Sequence, residues 1–193
     1  MVERLIQHSV FLVFIGVIGI PLFWNLDALP LRVFDEARAA VNAQEMLENH
    51  EWLVPHFGGE PDMWASKPPL LIWLQSALIN MIGDSEWAVR LPSAVAGFFT
   101  CLLLYFFSVQ HLKKPQLGFL SALVLITIQG YVTIHSTRTG DYDSLLTLFT
   151  TLSGLSLFVY SEERSDKYLL LCILFTALAV LTKGIAGLLF TPA

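Results

Sequence analysis

Residues 6–26, 92–111, 117–134 and 144–160 contain no Asp, Glu, Lys or Arg. Each is long enough to cross a bilayer as a helix, which takes about 20 apolar residues and about 17 at the least. A fifth run, 168–182, continues until Lys183 interrupts it, and "GIAGLLFTPA" opens what reads as a sixth. This pattern constrains the fold more than any other feature. The chain of 193 residues is 55% hydrophobic and only 14% charged, whereas soluble domains carry about 25% charged residues. The fold class is therefore all-α, a polytopic transmembrane helical protein. A net charge of −5 without a basic stripe excludes nucleic acid as a partner. Cys101 and Cys172 lie in separate apolar runs without metal-ligand spacing and read as packing residues. Arg4 before the first run suits a signal peptide, but the run is long and no small-x-small site follows it, so it reads as a retained span. The last residues, "GLLFTPA", are still apolar, and residues 1–193 read as the N-terminal part of a longer transmembrane domain.

Residues 27–91 form a long loop with juxtamembrane helices of their own. "DEARAAVNAQEMLENH" has helical spacing in Ala40, Ala43 and Leu47, with acids in the first turn where the helix dipole favours them. "EWLVPHFGGEPDMWASKPP" is punctuated by Gly58, Gly59 and Pro61. "PPLLIWLQSALINMIG" is a helix opened by two prolines and closed by Gly83. Trp73, Gln75 and Asn80 interrupt its apolar surface, which suits the membrane interface. As a true span it would invert every later assignment.

With the N-terminus in the cytoplasm, "HLKKPQ" and "SEERSDK" are inside, and residues 27–91, "HSTRTGDYD" and Lys183 are outside. Lys113 and Lys114 then obey the positive-inside rule, whereas Arg32, Arg38, Lys67, Arg90 and Arg138 do not, which is unusual unless those cations have a task. The same assignment gathers Asp35, Glu36, Lys67, Arg138, Asp141, Asp143 and Lys183 on one side, from four segments. Ionisable groups at a membrane are costly and suggest function by default. Each also has a plain reading. Asp35 and Glu36 suit a first helical turn, and Lys67 and Lys183 can snorkel. Arg138 can pair with Asp141 three residues on, which would leave Asp143 as the freer carboxylate.

Carboxylates facing cations at a membrane surface suit group transfer from a lipid phosphate. The leaving phosphate needs Lys or Arg, and the acceptor must lose a proton to a carboxylate. Glycoside hydrolysis instead needs an acid to protonate the departing oxygen.

The ordered motifs "FDEAR", "SKPPL", "RLPS", "TRTGDYDSLL" and "LTKG" resemble the N-terminal part of GT-C membrane glycosyltransferases. More narrowly, they are similar to the branch holding aminoarabinose transferases of lipid A and protein O-mannosyltransferases. The resemblance implies a polyprenyl-phosphate sugar donor, a lipid or protein acceptor, an extracytoplasmic site in the cell inner membrane and inversion at the anomeric carbon. It implies Asp35 as the catalytic carboxylate, Asp143 as the second acid and Lys67 as a ligand of donor phosphate, with Lys183 the recurrent lysine of the "TKG" motif. Arg138 and Lys183 are further candidates for the phosphate, and Glu36, Trp64 and Asp141 are supporting residues. In the aminoarabinose transferases an acid precedes the lysine of the K-P motif and helps hold a metal. Ser66 stands there in this chain, so no metal or other cofactor is expected. The alternative reading is a non-enzymatic transporter or flippase component. Its sites would lie near the bilayer midplane on broken helices, whereas the charges here cluster at span ends.

Overall fold

A computed structural model describes residues 2–133 and 135–189, with side chains from residue 11. Helix α1 (Val2–Phe23) leads into a turn and an extended connector, and α2 (Asp35–Asn49) follows. A hairpin of β1 (His56–Phe57) and β2 (Glu60–Pro61) comes next, then α3 (Leu70–Ile82) and α4 (Glu86–Gln110). The chain continues through α5 (Pro115–Thr127), α6 (Gln129–Val132), α7 (Asp143–Glu163), α8 (Asp166–Lys183) and α9 (Ala186–Leu189). The structure is thus almost wholly helical, as the apolar runs require.

Among the described residues, α4 and α7 are long and apolar enough to cross a membrane. Helix α4 starts six residues before the expected span because Ser85 caps it, its hydroxyl accepting from the Ala88 amide. Pro92 is accommodated inside the helix. The run 117–134 is not one span. It breaks at Ile128, whose backbone is extended (ψ 117°), and resumes as the four-residue α6. Residue 134 lies outside the described residues. Helices α3 and α5 have 13 residues each, roughly 20 Å at 1.5 Å per residue, short of a hydrocarbon core of about 30 Å.

Packing gathers the connectors at one end. Helices α4 and α5 cross closely at Gly118, where an added Cβ would lie 2.8 Å from the Tyr105 Cα. On the α1 side, Phe14 stacks on Tyr105 at 4.5 Å between ring centroids. Helices α7 and α8 form an antiparallel hairpin turning at Arg164, which takes the left-handed conformation (φ 53°). Ser153 holds the hairpin together by reaching Thr176 at 2.9 Å and Cys172 Sγ at 3.3 Å. Both cysteines are free, Cys101 buried and Cys172 partly so, consistent with packing roles.

Helix α2 lies against α3 and the start of α4. Its buried face is Glu36, Ala39, Asn42, Ala43 and Met46, not the Ala40–Leu47 stripe expected. Ala40 and Leu47 only flank that core. The face is rotated because two polar residues, Glu36 and Asn42, are drawn inward by partners from distant segments. Gly58 (φ 67°) and Gly59 (φ 81°) form the two-residue turn of the hairpin, the type with positive φ at both positions that glycine suits. The carboxylate of Glu45 accepts from both glycine amides, at 2.6 and 3.0 Å.

Candidate functional site

The site is organised around a buried ion pair. Glu36, 1% exposed, accepts Arg90 Nε at 2.7 Å and Nη2 at 3.1 Å. It also accepts the Arg32 amide at 2.7 Å and the Gly140 amide at 2.8 Å. Burial acts to raise the Glu36 pKa, but the bonds from Arg90 and from the two amides outweigh it and hold the carboxyl below its ordinary range. Arg90 also donates to the carbonyls of Leu26, Leu29 and Pro30. The Arg90–Glu36 pair therefore joins the exit of α1, the start of α2, the first turns of α4 and, through the Gly140 amide on Glu36, the 135–142 connector. Gly140 is required where it stands, since an added Cβ would lie 2.5 Å from Val89 Cγ1 and 2.9 Å from Gln75 Nε2. Gln75 donates to the carbonyls of Val89 (2.9 Å) and Gly140 (3.2 Å).

Around this hub lies a small cavity of about 110 Å³, whose lining includes Asp35, Arg38, Asn42, Trp64, Lys67 and Tyr142. Asp35 begins α2 immediately after Phe34, which is forced to φ 79°, a costly conformation for a bulky residue and one that clusters at functional sites. The Asp35 side chain is 52% exposed, and its Oδ1 lies 3.6 Å from Lys67 Nζ. Lys67 sits over the Tyr142 ring, 4.7 Å from its centroid. Burial raises the Tyr142 phenol well above its ordinary value, so it stays neutral.

A second network fixes the loop that carries Lys67. Arg38 grips Asp62 with two bonds of 2.7 and 2.6 Å. Asn42 donates to Asp62 at 3.0 Å and to the His56 carbonyl at 2.6 Å. Asp62 in turn accepts the Trp64 amide at 2.9 Å. Trp64 itself is 82% exposed at the rim. The Arg38 bond, aided by Asn42 and the Trp64 amide, lowers the Asp62 pKa to about 2 against the cost of burial. A depressed carboxylate adds stability that is complete above its unfolded pKa, about 3.9, and is lost as pH falls toward 2. Asp62→Asn should therefore destabilise the protein by about 1–2 kcal/mol at neutral pH, discounted because Arg38 is one-third exposed. The gap from wild type should close between pH 4 and 2. Thermal melts of both proteins across that range check it, and a constant gap would contradict the assignment.

The 135–142 connector departs from the sequence expectation. It is a series of turns rather than a helix, so the spacing of three between Arg138 and Asp141 places them on no common face. Arg138 instead donates to the carbonyls of Pro21, Trp24 and Asn25 at 2.6–3.2 Å, closing the end of α1. Its guanidinium thereby ties the connector to the end of α1. Asp141 is buried and receives His135 Nδ1 at 3.0 Å. Burial raises the Asp141 pKa, and His135 and Lys67 oppose the rise. Asp143, more exposed than Asp141, is paired with Lys183. That pair lies where α7 and α8 meet. Gly184 (φ 59°) brings the end of α8 to Pro68, within 3.8 Å of an added Cβ, so the "TKG" and "SKPP" segments are neighbours.

Asp35, Lys67 and Trp64 therefore line one cavity, Asp141 reaches Asp35 through His135, Glu36 lies beside Asp35 in the buried ion pair, and Asp143 and Lys183 form a further pair. Arg90, Asp62, Asn42 and His135 were not singled out as site residues. Arg90 carried two signals, its place among the outer cations and in the "RLPS" motif, whereas Asp62 had no signal in its loop. Among the described residues, no three His, Cys, Asp or Glu side chains are grouped to hold a metal ion. No step below passes through a metal.

Residues 66–193 match the family described as dolichyl-phosphate-mannose-protein mannosyltransferase. The chain is 30% identical over 182 residues to the undecaprenyl phosphate-alpha-4-amino-4-deoxy-L-arabinose arabinosyl transferase of Aeromonas hydrophila, covering 88% of this chain and 32% of that one. It is 30% identical over 165 residues to an uncharacterized protein of Aquifex aeolicus, covering 86% of this chain and 32% of the other. The fold is similar to crystal structures of ArnT from Cupriavidus metallidurans. The apo form gives a TM-score of 0.78 at 18% identity, and the form bound to undecaprenyl phosphate gives 0.72 at 20%. Each alignment covers 94% of this chain and 34% of ArnT. The chain thus spans about a third of the length of the relatives it matches.

Proposed function

Since the chain belongs to the dolichyl-phosphate-mannose-protein mannosyltransferase family, we propose that it forms the acid- and phosphate-handling part of a glycosyltransferase that moves a sugar from a polyprenyl phosphate to a lipid or protein acceptor. The observation that carries this reading is the meeting of Asp35 with Lys67, 3.6 Å apart in one cavity. Asp35 takes the proton of the acceptor group as that group attacks the anomeric carbon. The bond from that carbon to the phosphate oxygen breaks, and its electron pair leaves with the lipid phosphate. Lys67 stabilises the negative charge as it develops. A single displacement of this kind inverts the anomeric centre. Lys183, oriented by Asp143, is the second cation for the phosphate, and Asp143 acts through it. An apolar groove of about 340 Å³ between α3, α4 and α7, with Leu74, Leu78, Phe99 and Leu145 in its walls, suits an isoprenoid tail.

The same reading puts the multi-pass chain in the cell inner membrane with this end extracytoplasmic. The site residues sit at helix ends and in connectors, the arrangement expected of chemistry at the membrane surface rather than of a midplane transport site.

The test is transfer from a radiolabelled polyprenyl-phosphate sugar in membranes containing the complete protein. Lys67→Met removes one charge-assisted contact, worth about 1.5–3 kcal/mol, and should raise the donor KM about 10- to 100-fold at unchanged folded amount. A donor KM that does not move would take Lys67 out of phosphate binding.

A further inference from the structure

His135 stands in the turn-rich connector at φ 62°, and its ring is 56% exposed. Its Nδ1 faces two carboxylates at once. Asp141 Oδ2 lies 3.0 Å away and Asp35 Oδ2 lies 3.8 Å away. Asp141 is buried, and its oxygen also receives the Thr139 hydroxyl at 3.5 Å. Its backbone carbonyl accepts Ser93 Oγ at 2.7 Å, so this acid is a fixed anchor for the ring. The groups acting on the ring are Asp35 from α2, Asp141 from the same connector and Lys67 from the loop before α3, with the neutral Tyr142 phenol nearby. A histidine that only satisfied a buried aspartate would have no reason to aim the same nitrogen at a second acid. Lys67 approaches Oδ1 of Asp35 and His135 approaches Oδ2, so the two cationic side chains face different oxygens of one carboxylate.

We propose that His135, anchored on Asp141, is a positioning residue for Asp35. Its ring, anchored by the Nδ1–H bond to Asp141, stands 3.8 Å from Oδ2 of Asp35 and, with Lys67 at Oδ1, fixes the direction in which that carboxylate faces the acceptor. This rests on Asp35 being the base. The test is sugar transfer by the complete protein in membranes, measured for wild type, His135→Asn, His135→Ala and Asp35→Asn. Asparagine tolerates the left-handed backbone and offers an amide N–H near the place of Nδ1. His135→Asn should stay within about 3-fold of wild type, while His135→Ala should lose about 10-fold in kcat with donor KM unchanged. A kcat for His135→Ala equal to that of wild type, or an equal loss in His135→Asn, overturns the role of His135. Turnover by Asp35→Asn would overturn the base assignment instead, and the two failures are read from different proteins.

Discussion

Asp35→Asn should lower kcat for sugar transfer by about 10²–10⁴-fold while leaving the amount of folded protein unchanged. The substitution is nearly isosteric, and the side chain is half exposed, so little packing is lost. Asp35 is also a first-turn acid of α2, and neutralising it removes a helix-dipole contribution of less than about 1 kcal/mol. The chemistry loses much more. An amide cannot accept the acceptor's proton, and it leaves Lys67 without the partner that holds it beside the phosphate position. The readout is the single-turnover rate at saturating donor, alongside protein recovered in detergent. Near-normal turnover would remove Asp35 from the mechanism, and the proposed function would then lack a base.

Arg90→Met should be the most destabilising single change in this part of the protein, at about 3–5 kcal/mol. That is the usual cost of removing one partner from a buried ion pair and leaving the other charge unpaired. Arg90 and Glu36 are 5% and 1% exposed at their side chains, so water cannot replace the lost bonds. Methionine fills comparable volume, which isolates the polar effect from cavity formation. The Leu26, Leu29 and Pro30 carbonyls lose their common donor, and the Glu36 carboxylate that holds the Gly140 amide loses its counter-charge. Thermal melting in detergent should fall well below that of Asp35→Asn. The double variant Glu36→Gln with Arg90→Met should recover part of the loss, because no buried charge then remains. Melting of Arg90→Met equal to wild type would show that the hub contributes nothing to the assembly of the site.

Elements bounded by strong local chemistry were legible in the sequence. Helix α3 runs between the two prolines and Gly83 as expected, and α2 begins at Asp35. The hairpin turn falls on Gly58 and Gly59. Asp35 and Lys67 share the loop between the first two apolar runs, so their place on one side was legible from those runs alone. What failed was inference about partners inside an irregular connector. Arg138 and Asp141 look like a helical pair, yet residues 135–142 are turns, and each residue found a partner far away in the chain or on another face.

The sequence by itself determined that this is a membrane chain, where its helices run and which end collects its charges, because apolar length, prolines, glycines and helix spacing act locally. Only the tertiary structure decided which charge meets which. Glu36 became a buried hub because Arg90 arrives from α4, Asp62 became a clamp because Arg38 and Asn42 project from α2, and His135 came between two acids because the connector folds back on them. Electrostatic partnership depends on distances of a few ångströms in a low-dielectric setting, and those distances are set by how whole helices pack.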